Sequence, residues 1–150
     1  MKTALIAFLF VLPAIWIPAS PSASEGAKCA VSSFEIEFER SEEVFVGTVT
    51  GIEKSGDESV ATFRLEKYWK GSGSRIASVS VYENPKFQSP FREGGRFLVF
   101  AKPDEEESGK LYDGRCSRTT DLDRNPERAE DDLAKLGPGT MCKGDGERCE

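Results

Sequence analysis

The chain has 150 residues, with 20 Lys and Arg against 26 Asp and Glu, and a formal net charge of −6. It has no histidine, which excludes Ser-His-Asp catalysis, Cys-His catalysis and His-ligated zinc within this chain. The acidic balance argues against nucleic acid as a partner, because phosphate neutralisation needs clustered Lys and Arg. A hydrophobic content of 38% over one domain's length predicts one modest core.

The amino terminus has the pattern of an export signal. A positively charged start is followed by an apolar run over 4–17, which is shorter than the roughly 20 residues of a membrane span. Ser22 and Ser24 suit a signal peptidase site, so we expect residues 1–24 to be removed and Glu25 to open the mature chain. An uncleaved membrane anchor is the alternative. The sequence therefore predicts a secreted or extracytoplasmic protein (periplasm, cell surface or medium) with no membrane span after cleavage.

Residues 31–40 predict a short amino-terminal helix. Ser32 as N-cap and Glu35 form a capping box, and Val31 with Ile36 fits the hydrophobic staple. A strand is the alternative, because the apolar residues at 34, 36 and 38 also alternate with glutamates.

Five segments after this helix predict β-strands. They are rich in β-branched and aromatic residues, or alternate apolar with polar side chains, and they cover 44–49, 61–65, 77–81, 97–100 and 111–112. The glycines at 47 and 51 favour a bend or bulge, and the acidic run 104–107 predicts a solvated hairpin loop. Five short strands with Gly, Pro and Ser between them suit a small barrel better than an open sheet.

A second helix follows the strands. Asn125 is a fitting N-cap, Pro126 suits the first helical position, and Gly137 followed by Pro138 ends the helix. Residues 137–150 then form a polar tail that contains two of the four cysteines.

The cysteines form an even set, and such sets usually pair outside the cytosol. They are Cys29, Cys116, Cys142 and Cys149. Three connectivities are possible, and the sequence alone does not choose among them. Spacing favours a Cys142–Cys149 bridge, because two glycines let the short intervening loop close, and this leaves Cys29 with Cys116. A four-thiolate zinc site is the alternative, but no two cysteines have the close spacing of such sites. We predict no metal site and no cofactor.

The order and spacing of several short motifs resemble a netrin-like domain. The motifs are Cys29, the run from Glu43 to Val49, Phe63-x-Leu65-x₃-Trp69-Lys70-Gly71, Phe91-x₂-Gly94-Gly95-x-Phe97 through Phe100, and Cys116-Ser117-Arg118-Thr119. Tissue inhibitors of metalloproteinases and small exported proteins of similar plan share this domain. The resemblance spans about residues 29–136 and implies a netrin-like domain over 25–136. The implied fold is mainly β, a five-stranded OB-type closed barrel with a short amino-terminal helix and a carboxy-terminal helix.

The sequence departs from the family pattern at one expected disulfide. The family usually opens with Cys-x-Cys and has a further Cys before the fourth strand, where this chain has Ala27 and Ser89. Both halves of that bridge are missing together, whereas Cys29 and Cys116 match the bridge that remains. This agreement supports the pairing that spacing favours.

The resemblance implies an exported, non-enzymatic module that binds another protein. Its expected contact surface is the edge formed by Cys29, Ala30, Val31 and Ser32, with neighbouring loops such as 83–91. In the family's inhibitors, the free α-amino group and carbonyl of an amino-terminal Cys chelate the zinc of a metalloproteinase, so a metalloproteinase is the sharper partner hypothesis. Cleavage after residue 24 leaves four residues before Cys29, which argues against that chelation.

An OB-type module that binds a glycan or a small molecule is the alternative function. Tyr68 and Trp69 would form its ligand platform, although packing of both rings at the barrel end is the simpler interpretation. Carboxylate pairs could serve glycoside hydrolysis, but no Asp or Glu stands in a recognisable strand-end pair. We therefore expect no enzyme.

Overall fold

The computed structural model describes residues 29–144 and 146–149. Two helices and seven strands follow one another there: α1 (Phe34–Arg40), β1 (Glu43–Ser55), β2 (Glu58–Lys70), β3 (Ile76–Tyr82), β4 (Arg96–Pro103), β5 (Leu111–Tyr112), β6 (Thr120–Asp121), α2 (Pro126–Leu136) and β7 (Thr140–Met141). The prediction of a mainly β fold is confirmed, and all five predicted strands are present. The predicted signal peptide, residues 1–24, lies outside the described residues.

Five of the strands close into a ring. β1 pairs with β2, β2 with β3, β3 with β5, β5 with β4, and β4 with β1. All of these pairs are antiparallel except β3 with β5, which is parallel. The acidic run 104–107 lies in the hairpin between β4 and β5, as predicted. Closure gives each strand of the ring two neighbours and so covers most of the edges through which sheets aggregate.

The interior of the ring is filled by aromatic and aliphatic side chains. Phe63 lies edge to face with Phe45 at 5.4 Å, with Phe91 at 4.9 Å and with Phe97 at 6.3 Å between ring centroids. Edge-to-face pairs contribute about 0.5–1.5 kcal/mol each beyond their area burial. This aromatic cluster is the inner core.

A second, outer core lies between the ring and the two helices. Its strand residues are on the outward faces of β1 and β4, and its helix residues come from one face of each helix: Val44, Val46, Leu98, Phe100, Phe34, Phe38, Ala129, Leu133 and Leu136. The apolar run 97–100 therefore alternates between the inner and the outer core, which explains why it is apolar at every position.

The first helix begins one residue later than predicted. Ser33, not Ser32, is the N-cap, and its Oγ accepts a hydrogen bond from the backbone N–H of Ile36 at 3.4 Å. The predicted capping box between Ser32 and Glu35 is therefore wrong. The physical reason is that the carbonyl of Ser32 is bound by the side chain of Arg118 at 2.9 Å, which places Ser32 before the helix.

Both disulfides favoured by spacing are present. Cys29 is bonded to Cys116 and Cys142 to Cys149, so all four cysteines of the chain are paired. The four-thiolate zinc alternative is thereby wrong, since disulfide sulfurs are not thiolates.

Residues 137–149, here called the carboxy-terminal segment, run back along the ring. Gly137 ends α2 with φ 71°, and β7 pairs with β2. The backbone N–H of Cys142 donates to the carbonyl of Glu66, and that of Cys149 donates to the carbonyl of Gly73, both at 2.8 Å. Cys149 is only 8% exposed and packs against the inner core. The predicted polar tail thus has a buried, disulfide-bonded anchor.

Candidate functional site

The predicted contact edge comprises Cys29, Ala30, Val31 and Ser32 and lies just before α1. Its first three residues are exposed, with Val31 at 40%, and Ser32 is half-buried. The disulfide to Cys116 fixes its first residue to the segment that follows β5. The edge therefore presents side chains to solvent on a covalently anchored backbone.

Arg118 holds the other end of this edge. Its Nη1 donates to the carbonyl of Ser32 at 2.9 Å, and its Nε and Nη2 donate to the Asp132 carboxylate at 2.6–3.1 Å. Asp132 lies on α2 and is 2% exposed. The bond to this carboxylate raises the pKa of the Arg118 guanidinium, which stays charged at any ordinary pH. One ion pair thus joins the contact edge to α2.

Two further acidic side chains are buried, Glu37 of α1 and Asp113, which directly follows β5. Glu37 is fully buried, with Lys102 Nζ 2.9 Å from its Oε1. Asp113 is 3% exposed and accepts a hydrogen bond from Thr119 Oγ1 at 2.9 Å. Burial raises the pKa of Asp113 to about 7, although hydrogen bonds from Ser117 and Thr119 lower it. The raised pKa means that burial disfavours the charged form of this carboxyl.

The loop 83–91, predicted as part of the contact surface, is anchored on the ring. Phe87 and Phe91 pack against the inner core, and Glu83 forms an ion pair with Lys54 at 3.0 Å. Within the described residues, no hydrogen bond or ion pair joins this loop to residues 29–32.

The two aromatic residues considered as a ligand platform lie on opposite faces of β2. Tyr68 packs against the inner core and Trp69 against the outer core. The two rings therefore do not form one platform.

The structure has a groove beside Trp69 that the sequence did not predict. Its volume is about 400 Å³, at the lower end of the roughly 300–1,000 Å³ of small-molecule sites. The apolar side chains that line it come from β1, β2, the segment before α2, α2 itself and β7: Val46, Trp69, Leu122, Leu133 and Met141. Its rim carries four charged residues, Glu66, Lys67, Arg96 and Glu130.

Two β-bulges in β2 turn side chains toward this groove. The register between β1 and β2 shifts at three places, and at two of them a residue of β2, Trp69 or Glu66, has no partner of its own on β1. Bulges re-aim side chains and are common beside functional sites. The bend or bulge predicted at Gly47 and Gly51 is confirmed, since the register shifts at both glycines. The bulge at Trp69 was not predicted from the sequence.

The described part of the chain contains no group of three or more Cys, Asp or Glu side chains placed to hold a metal ion. In residues 29–144 and 146–149, no helix has the length and apolarity to cross a bilayer. The chain matches no family model and no curated protein.

Proposed function

We propose that the chain is an exported, non-enzymatic protein-binding module of the netrin-like class, with Cys29, Ala30, Val31 and Ser32 as its contact edge. The observation that carries the proposal is the double anchoring of this exposed edge. The disulfide to Cys116 holds its start, and the hydrogen bond from Arg118 holds its end. A backbone already fixed in one conformation loses little conformational entropy on binding, so preorganisation favours affinity.

The strand order supports an OB-type closed barrel as the fold. The ring of five mostly antiparallel strands has the strand number of an OB-type barrel and supports this assignment. In such folds, loops and edges around the barrel bind partners while the inner core provides a rigid frame.

Two features support an extracytoplasmic location. All four cysteines are paired in disulfides, which persist in oxidising compartments and are rare in the cytosol. The amino-terminal sequence has the pattern of an export signal. The module then acts in the periplasm, at the cell surface or in the medium.

Metalloproteinases are the first partner class to test, because the resemblance implies them. Residues 25–28 precede Cys29 after cleavage at residue 24, so the Cys29 nitrogen is a peptide nitrogen and not a zinc-binding amine. We therefore propose contact through the exposed side chains of Ala30 and Val31, without chelation of the protease zinc.

Binding to a panel of metalloproteinase catalytic domains tests this function. Wild-type protein, Val31→Asp and Ile76→Asp are compared by surface plasmon resonance. Ile76 is the matched control, since it is an exposed aliphatic residue on β3, 51% exposed. We expect saturable binding that Val31→Asp weakens at least about tenfold and Ile76→Asp changes less than about twofold. Absence of binding to every catalytic domain, or equal loss in both variants, contradicts the proposal.

Intact-mass measurement of the secreted protein tests the mode of contact. A mature terminus at Glu25 supports contact without chelation. A terminus at Cys29 contradicts it, because the free amine could then bind zinc.

A further inference from the structure

We infer that the groove beside Trp69 is a binding site for an uncharged, hydrocarbon-rich small molecule. This inference does not depend on the proposed function, because the groove lies between α2, β2 and β7, whereas the contact edge lies before α1.

The walls of the groove are apolar and built by separate elements. Val46 of β1 is 4% exposed, and Leu122 and Leu133 are half-buried, so they form an apolar surface that is only partly open to solvent. Trp69 and Met141 lie on the β2 and β7 side, and Met141 is 43% exposed. A concave apolar surface of this kind binds a ligand by removing hydrocarbon from water.

Two polar side chains that line the groove, those of Trp69 and Glu66, already have partners within the chain. Trp69 Nε1 donates to the carbonyl of Gly137 at 3.0 Å. Glu66 accepts from Thr48 Oγ1 at 2.9 Å and from Arg96 Nε at 2.7 Å. A sugar would bring hydroxyl groups that find few free partners here, and an unsatisfied buried hydroxyl costs free energy. This arrangement favours a hydrocarbon over a glycan.

The charges at the rim balance one another. Glu66 and Arg96 form an ion pair, and the remaining pair, Lys67 and Glu130, have opposite signs. Lys67 Nζ lies 5.6 Å from the centroid of the Trp69 ring. A groove whose rim charges sum to zero gives no electrostatic preference for an anionic or a cationic ligand, whereas desolvation of a charged group remains costly. An uncharged ligand is therefore the best match.

The surroundings of the groove favour a small molecule over a protein. Among the described residues, five large apolar side chains are exposed, and Met141 is the one that lines the groove. A stable protein interface buries about 800 Å² on each partner around an apolar centre. One exposed methionine around a cavity of about 400 Å³ falls well short of such a surface.

The test compares two dyes with the same ring system. N-phenyl-1-naphthylamine is uncharged, and 1-anilinonaphthalene-8-sulfonate adds one negative charge. The background carries Trp16→Phe, which leaves Trp69 as the only tryptophan. We expect saturable binding of the uncharged dye with energy transfer from Trp69, and at least about tenfold weaker binding of the sulfonate. No saturable binding of the uncharged dye, no energy transfer, or tighter binding of the sulfonate overturns the inference.

Met141→Asp, with Ile76→Asp as the matched exposed control, locates the dye. We expect the first variant to weaken binding at least about tenfold and the second less than about twofold. In the protein without a substitution at Met141, we expect 1-decanol to displace the dye and decanoate not to displace it. This result would support an uncharged ligand even if a variant misfolds. Equal effects of the two substitutions, or displacement by decanoate alone, overturns the inference. Self-association that requires Met141 also overturns it, since the occupant is then a second copy of the chain. Loss of metalloproteinase binding with dye binding intact counts against the proposed function alone.

Discussion

The two ends of the described chain are both fastened by a disulfide, but in different ways. The Cys29–Cys116 bridge joins residues 87 positions apart, whereas the Cys142–Cys149 bridge joins residues 7 positions apart. The contact edge at residues 29–32 leaves its side chains in solvent and relies on the long bridge and on Arg118. The carboxy-terminal segment instead buries Cys149 and pairs its backbone with β2. One end thus keeps exposed side chains on an anchored backbone, while the other contributes Met141 to the groove.

Removal of each bridge separately gives the largest expected effect and tests this contrast directly. In the loop-entropy model, the long bridge contributes about 4.5 kcal/mol and the short bridge about 2.5 kcal/mol to the free energy of unfolding. We therefore expect the Cys29→Ala/Cys116→Ala pair to destabilise the protein about 2 kcal/mol more than the Cys142→Ala/Cys149→Ala pair. Urea unfolding of both variants measures the difference. Greater destabilisation by loss of the short bridge would show that the carboxy-terminal segment carries more of the fold than its loop length implies.

Arg118 gives the next largest effect, because its loss leaves a buried carboxylate unpaired. Arg118→Met removes all of the side-chain hydrogen bonds to Asp132, which is 2% exposed. We expect a loss of about 3 kcal/mol in the free energy of unfolding. Faster proteolysis at residues 29–32 should accompany it, since the bond to Ser32 is also lost. The double variant Arg118→Met/Asp132→Leu should recover more than half of the loss, since no charge is then left buried. A cost below about 1 kcal/mol for the single variant would mean that the disulfide alone fixes the edge.

The strands and the Cys142–Cys149 disulfide were predictable because each depends on local sequence, and the Cys29–Cys116 disulfide then followed by elimination. Alternation of Ala61, Phe63 and Leu65 with polar residues predicts which face of β2 enters the core, and the structure places these three side chains inside. The Cys142–Cys149 pairing follows from short spacing and two glycines. Such features involve residues near one another in the chain, so one sequence suffices to recognise them.

The groove and the ion pair at the edge were not predictable, because they depend on contacts distant in sequence. Arg118 contacts Ser32 across 86 positions, and Trp69 contacts Gly137 across 68. Two bulges after Leu65 also change the face on which side chains of β2 emerge. Tyr68 and Trp69 lie in different cores because successive side chains of a strand point to opposite faces.

Asp113 makes the free energy of unfolding depend on pH. It lies three residues before Cys116, whose disulfide anchors the contact edge. Burial raises its pKa from the model-peptide value of 3.8 to about 7, beside Glu37 and Lys102. Between these two pH values the folded protein binds more protons than the unfolded chain, so stability is lost as the pH rises. The expected slope is about 1.4 kcal/mol per pH unit, levelling off above pH 7. Urea unfolding at pH 5, 6 and 7 measures it.

Asp113→Asn is the control for this slope, because it keeps an acceptor for Thr119 and removes the titrating proton. The chain has no histidine, so few other side chains titrate in the same range. Wild type should therefore lose stability relative to the variant as the pH rises from 5 to 7. Parallel curves for the two proteins would show that the Asp113 carboxyl is charged in the fold at pH 5.

The smallest expected effects concern two glycines of the carboxy-terminal segment. Gly137 and Gly139 both have positive φ, 71° and 61°, and Gly137 has ψ −154°, so alanine at either position costs about 1–3 kcal/mol in backbone strain. A Cβ at 137 would meet nothing within 4 Å, whereas a Cβ at 139 would lie 2.6 Å from Trp69 Nε1. The clash should add about 1 kcal/mol to the strain cost of Gly139→Ala, and this substitution alone should change the fluorescence of Trp69 in the Trp16→Phe background. Equal losses of stability and an unchanged emission spectrum would mean that Gly139 does not pack against Trp69 in solution. The carboxy-terminal segment would then not form one side of the groove.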